Sequence, residues 1–210
     1  TGEVKFSLET LISNLSEIPL LFKLMGACSL TDLELEVVFT DIRSALLASV
    51  NETENPPEVL RFQSALALQC FTNEYIYSQN DKETSAIEIL EVKVGEALLK
   101  GEQPRPQLIL CLACYKGLHQ YEWSNLLELS SIIEDVVTRQ ILEPRQESLL
   151  KSSILVLEKI TNKVSSKVRD QYEESPYPRW VNMGLSLKPE ALSNKTKNLK
   201  LKLFDDSIND

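Results

Sequence analysis

Asn55-Pro56-Pro57-Glu58-Val59-Leu60-Arg61-Phe62-Gln63-Ser64-Ala65-Leu66-Ala67-Leu68-Gln69-Cys70-Phe71 is the stretch that decides the fold class. It begins as a helix begins. A capping amide comes first, then two prolines whose fixed φ suits the first turn, then an acid that favours the positive end of the helix dipole. Leu60, Ala65, Leu66, Leu68, Cys70 and Phe71 follow almost without interruption. An apolar surface that wide predicts a central helix, buried on most sides. Asn73 and Glu74 are expected inside the same helix. Buried polar groups need partners, so these two are read as a structural hydrogen-bond network with a neighbouring helix or loop. Asn80-Asp81-Lys82 is the expected break.

The same period extends to both sides. Leu8, Leu11, Ile12 and Leu15 recur at helical steps, and Ser16-Glu17-Ile18-Pro19 predicts a second helix capped by Ser16 that ends near Gly26. Thr31-Asp32-Leu33-Glu34 fits a capping box ahead of the stripe Leu35, Val38, Phe39, Ile42, Leu46 and Leu47. Ile87, Leu90, Val94, Ala97 and Leu98 form another helix, stopped by Gly101 and Pro104-Arg105-Pro106. Leu108 to Tyr115 is apolar on most sides, and Gly117 to Trp123 reads as a bend. Leu126 to Val137 predicts one long or two short helices, Glu143-Pro144 a fresh start, and Ser165 to Glu174 a polar amphipathic helix. No clean 34-residue repeat emerges. The expectation is an irregular all-α domain of about eight to ten helices over residues 1–174.

Composition agrees. The chain has 210 residues and 35 leucines but only six glycines, which stand alone at Gly2, Gly26, Gly95, Gly101, Gly117 and Gly184. A phosphate-cradling loop needs clustered glycines, so a P-loop or dinucleotide site is excluded for these residues. With 22 basic and 31 acidic side chains the formal charge is -9, which disfavours nucleic acid and anionic membrane. No run of about 18 apolar residues predicts a membrane span. The N-terminal residues lack the basic and apolar regions of a signal peptide, and a cytoplasmic location is expected. Cys28, Cys70, Cys111 and Cys114 read as reduced core residues.

Cys111-x-x-Cys114 followed by His119 invites a metal reading. Zinc takes about four thiolate or imidazole ligands, and this chain has a single histidine. No metal is assigned. His119 beside Tyr121 and Trp123 is read as a bend histidine bonded to backbone, because no nucleophile is placed beside it by any motif.

The character changes after Glu174. Residues 1–162 carry a net charge of -11 and residues 163–202 a net charge of +5. Residues 175–210 are read as a linker and an extended basic tail. Leu199-Lys200-Leu201-Lys202-Leu203 alternates with the period of a β-strand, the one such segment in the chain. Ser175-Pro176-Tyr177-Pro178-Arg179-Trp180 is held extended by its prolines. Tyr172, Pro176, Tyr177, Pro178, Arg179 and Trp180 are the interface candidates, since rigid aromatic and cationic groups dominate binding surfaces.

Val168-Arg169-Asp170-Gln171-Tyr172-Glu173-Glu174-Ser175-Pro176-Tyr177-Pro178-Arg179-Trp180 resembles the segment that precedes the catalytic domain in a bacterial family of S-adenosylmethionine-dependent methyltransferases, whose members often carry tetratricopeptide repeats upstream. Ala67 to Tyr75, Gln140-Ile141-Leu142-Glu143-Pro144 and Trp180-Val181-Asn182-Met183-Gly184 are similar to strings of the same family. The resemblance implies a Rossmann-like domain that follows a segment like Asn198 to Lys202 and binds S-adenosylmethionine in a glycine-rich loop. No such loop stands among these residues, so no cofactor-binding residue is carried over.

The expected function is therefore a non-catalytic helical accessory module. Its partner would be its own or a separate methyltransferase domain, for substrate or partner recognition or for covering the active site. The alternative is a stand-alone interaction or scaffold protein, homodimeric through its C-terminal strand. No catalytic residue is expected in the chain itself.

Overall fold

The computed structural model describes residues 7–52, 54–151, 153, 162–174 and 191–201. Among them every regular element is helical: α1 (Leu8–Ser16), α2 (Pro19–Ala27), α3 (Leu33–Ser49), α4 (Pro57–Thr72), α5 (Asp81–Leu99), α6 (Pro106–Ala113), α7 (Glu134–Val137), α8 (Glu143–Lys151), α9 (Lys163–Glu174) and α10 (Leu192–Asn198). Short 3₁₀ turns at Leu118–Gln120 and Glu122–Leu126 follow α6, and a π turn at Thr138–Leu142 joins α7 to α8. The chain is all-α, as its leucine content and helical periods predict.

The centre is α4. Pro57 is its first residue, where a missing N–H costs nothing, and Pro56 supplies the extended entry. Phe62, Gln63, Leu66, Ala67, Gln69 and Cys70 are fully buried, because α1, α2, α3, α6 and α7 all pack on this one helix. Phe62 meets Phe22 edge-on at 6.0 Å and Phe39 at 6.3 Å between ring centroids. Such pairs add about 0.5–1.5 kcal/mol to burial alone. Every residue of α6 from Gln107 to Ala113 is buried too. All the buried residues among those described lie between Ile12 and Ile141; α8 and α10 bury none of theirs.

Several helix ends differ from expectation, each for a local reason. Ser16 closes α1, and Ile18 rather than Ser16 precedes α2 without a side-chain cap. The cap of α3 is Asp32, whose carboxylate accepts from Leu35 N at 2.9 Å, not Thr31. Asn55 is turned away from the start of α4: its N–H donates to Gln107 Oε1 and its amide to Gln63 Oε1. The full capping box belongs to α5. Asn80 Oδ1 accepts from Lys82 N and Glu83 N, both at 3.0 Å, and Glu83 Oε2 accepts from Asn80 N at 3.0 Å.

Leu127 to Ile133 is not helical, against the periodicity of Leu126 to Val137. The Gln103 side chain donates to Leu126 O at 2.9 Å and accepts from Glu128 N at 3.1 Å, so it takes the backbone groups a helix would use. Glu143-Pro144 is not a new start but a continuation. Pro144 has no N–H to offer Gln140 O, and the helix passes this gap through a π turn in which Glu143 N reaches Thr138 O.

The expected strand also departs. Leu199 N bonds to Lys195 O and Leu201 N to Thr196 O, with Lys200 at φ 54°, so Leu199 to Leu201 form the turn that closes α10. Lys202 and Leu203 lie outside the described residues.

Candidate functional site

Four buried glutamines organise the body. Gln63 Nε2 donates to Gln107 O at 3.1 Å and to Cys111 Sγ at 3.1 Å, which ties α4 to α6. Gln107 Nε2 donates to Val50 O at 2.7 Å, tying α6 to the end of α3. Gln69, with its amide nitrogen toward the carbonyls of Met25 and Cys28 and its oxygen toward Leu30 N, holds the exit of α2 against α4. Gln140 Nε2 reaches Ala67 O at 3.0 Å and Ala113 O at 3.1 Å, while its oxygen accepts from Leu118 N at 3.2 Å. An amide offers two donors and two acceptor sites, so one side chain satisfies the loose ends of several segments at once.

His119 completes this group. Gln140 O, whose i+4 neighbour Pro144 has no N–H, lies 3.1 Å from His119 Nδ1. A carbonyl can only accept, so the proton sits on Nδ1. The ring also meets Phe71 edge-on at 6.3 Å. The expected bend histidine bonded to backbone is what the structure has. Gly117 makes room for it, since a Cβ there would stand 2.7 Å from His119 Cε1.

A second buried group joins α3, α5 and the exit of α6. Arg43 lies 4.2 Å over the Tyr115 ring, donates to Ser78 O, and faces Glu83 Oε1 at 3.9 Å. Tyr115 donates its hydroxyl to the same Glu83 oxygen at 2.6 Å. Burial, and the bond to a carboxylate, hold the Tyr115 hydroxyl far above the ordinary phenol range. Cys111 and Cys114 lie beside this group. Burial pushes the Cys111 thiol up to about 12 and raises Cys114 well above a free thiol. Burial thus favours the neutral thiol over the thiolate at both positions. Among the described residues no group of three or more His, Cys, Asp or Glu side chains is gathered as metal ligands. Cys70, Cys111 and Cys114 are buried, but Cys28 is exposed at the end of α2, not in the core.

Asn73 and Glu74 are not inside a helix. α4 ends at Thr72, and both residues belong to the turn that follows. Glu74 and Tyr75 take φ 60° and 59°, a left-handed conformation that costs about 1–2 kcal/mol for a residue with a Cβ. Asn73 Oδ1 accepts from Tyr75 N at 3.1 Å, Tyr75 N also reaches Cys70 O at 2.8 Å, and Tyr75 Oη donates to Ala113 O at 3.4 Å. Asn73 therefore serves its own turn rather than a bridge to another helix. Glu74 is exposed.

Of the interface candidates, Tyr172 stands exposed on α9. Pro176, Tyr177, Pro178, Arg179 and Trp180 lie outside the described residues. The surface feature that periodicity did not reveal is on α5. A shallow depression of about 430 Å³ is lined by Glu91, Val92, Glu96, Leu99, Glu122 and Trp123. Gly95 shapes it, because a Cβ there would come within 3.1 Å of Trp123 Cδ1. Trp123 stacks on Tyr121 at 4.6 Å, and Lys116 lies 4.4 Å over the Tyr121 ring. Ile89, Val92 and Leu99 are strongly exposed along the same helix. The signal was present: α5 carries an outer apolar stripe in addition to Ile87, Leu90, Val94 and Leu98. The glutamines also had a signal, as amides embedded in apolar runs.

No helix among the described residues is long and apolar enough to cross a membrane. In comparisons with protein-family models, with curated proteins and with solved structures, no match to this chain is found.

Proposed function

We propose that the chain is a non-catalytic helical module that serves an S-adenosylmethionine-dependent methyltransferase domain, its own or a separate one, in recognising substrate or partner or in covering the active site. The observation that carries the reading is a meeting of strings. Gln140, from one of the strings similar to that family, donates to the carbonyl of Ala67, the first residue of another. The same amide reaches Ala113 O and Leu118 N, so both strings sit at the join of α4, α6 and the π turn. In this reading they are a structural signature of the helical body, while recognition falls to Tyr172 and the string from Pro176 to Trp180. The buried thiols and phenols beside Arg43 are held neutral and hydrogen-bonded, a chemistry suited to support rather than to nucleophilic attack.

The test has two arms. Calorimetric titration of this chain with S-adenosylmethionine is expected to give no binding heat, and clear binding would overturn the non-catalytic assignment. With the methyltransferase domain present, Arg179→Ala combined with Trp180→Ala is expected to lower methyl transfer while the helical circular dichroism stays unchanged. Unaltered turnover would overturn the recognition role.

A second reading, a stand-alone helical interaction protein, is favoured by the exposed apolar stripe of α5. Loss of binding partners on substituting that stripe, with methyl transfer unaffected, would select it.

A further inference from the structure

Two exposed stripes in this chain match each other. On α5, Ile89 (70% exposed), Val92 (61%) and Leu99 (78%) lie at i, i+3 and i+10, with Glu96 at i+7. That spacing puts all four on one face. Glu91, Glu96 and Glu122 line the depression alongside, together with Trp123. On α9, Val164 (70% exposed), Val168 (45%) and Tyr172 (59%) lie at i, i+4 and i+8, again one face. Lys167 and Arg169 stand next to it, both exposed. The lengths agree as well: at 1.5 Å per residue, each stripe runs about 12–15 Å.

We propose that α9 of one copy seats its Val164–Val168–Tyr172 face on the α5 stripe of a second copy, with Lys167 facing Glu96, and that the reciprocal contact closes a two-fold dimer. A second copy is the occupant because the chain carries both halves, and no other described residue covers either one. Charge points the same way at the contact: α5 carries five acids against two lysines, and α9, though balanced in total, sets Lys163, Lys167 and Arg169 ahead of its three acids. A helix laid on a groove by anchors one turn apart is a recurrent recognition mode, and two-fold symmetry uses each patch twice. The contact is independent of the methyltransferase reading and uses none of the alternating Leu199 to Leu203 segment.

Sedimentation equilibrium of the 210-residue chain is expected to show a concentration-dependent dimer. Val92→Lys and Val168→Asp, both at exposed positions, should each weaken it by about tenfold or more while thermal unfolding of the helices stays unchanged. Glu96→Lys should weaken it too, and adding Lys167→Glu in the same chain should restore it. Cross-linking of mixed light and heavy isotopic chains should join Lys167 of one mass to Lys93 or Lys100 of the other. A monomer at all concentrations, a dimer indifferent to Val92→Lys and Val168→Asp, or Lys167 cross-links confined to one isotope would each overturn the proposal.

Discussion

α4 and α9 both read as helices by pattern, yet they fare in opposite ways. α4 has ten of its sixteen residues buried and five other helices around it. α9 leaves Val164, Val168 and Tyr172 in solvent. The difference lies in width and in amides. α4 is apolar nearly all round, and its buried amides, Gln63 and Gln69, each find partners on neighbouring segments. α9 has a single narrow stripe on a charged helix, which suits a seam but cannot hold a core. A helical period thus announces a helix without saying whether its own chain will cover it.

The largest expected effect that tests this contrast is Phe62→Ala. Phe62 is fully buried between Phe22 and Phe39, so the loss should be about 3–5 kcal/mol in urea unfolding. A loss below about 1 kcal/mol would break the claim that α4 is the centre. Gln140→Leu comes next. It strips Leu118 N of its partner, while Ala113 O keeps the Tyr75 hydroxyl, and should cost about 1–3 kcal/mol through the unsatisfied N–H. Asn80→Ala removes the side-chain arm of the α5 capping box, the bonds Asn80 Oδ1 accepts from Lys82 N and Glu83 N, and should cost about 1 kcal/mol, read in the thermal midpoint. The smallest is Val164→Ser on α9, expected within about 0.5 kcal/mol of the parent for the isolated protomer.

Alkaline pH sharpens the same comparison, because its effect arises in the core. Burial raises Cys111 from 9.0 to about 12 and Tyr77 from 10.0 to about 12. Between those values the unfolded chain has released protons that the folded chain still holds, so stability is full below about pH 9 and falls as pH rises toward 12. The urea midpoint should therefore drop across that window. A midpoint flat from pH 9 to 12 would contradict the burial of these groups.

The elements legible in the sequence were those with a broad run of apolar positions: α3, α4, α5 and α6. What stayed hidden was set by contacts distant along the chain. Leu127 to Ile133 has a helical pattern, but Gln103, some 25 residues earlier, takes its backbone groups. Pro144 reads as a start because a proline normally sits in a first turn; the π turn just before it, on which His119 meets Gln140 O, has no local sequence signature. Asn73 and Glu74 look helical by continuity, and only the left-handed pair at Glu74 and Tyr75 shows where α4 stops. For the site, Trp123 read only as the end of a bend, and the depression it helps to line goes with the close approach of α5 at Gly95. The string from Pro176 to Trp180 remains the part whose interest rests on its residues alone.

The Gln140 amide has a kinetic consequence. Its bond to Ala67 O spans 73 residues and its bond to Leu118 N spans 22. The Leu118 amide hydrogen is thus shielded by a side chain from another segment, not by a helix of its own. Deuterium can reach it whenever the stretch from Glu134 to Leu142 swings away, without the rest of the body unfolding. Its exchange rate would count those departures, making a single backbone proton a clock for the partial opening of this molecule.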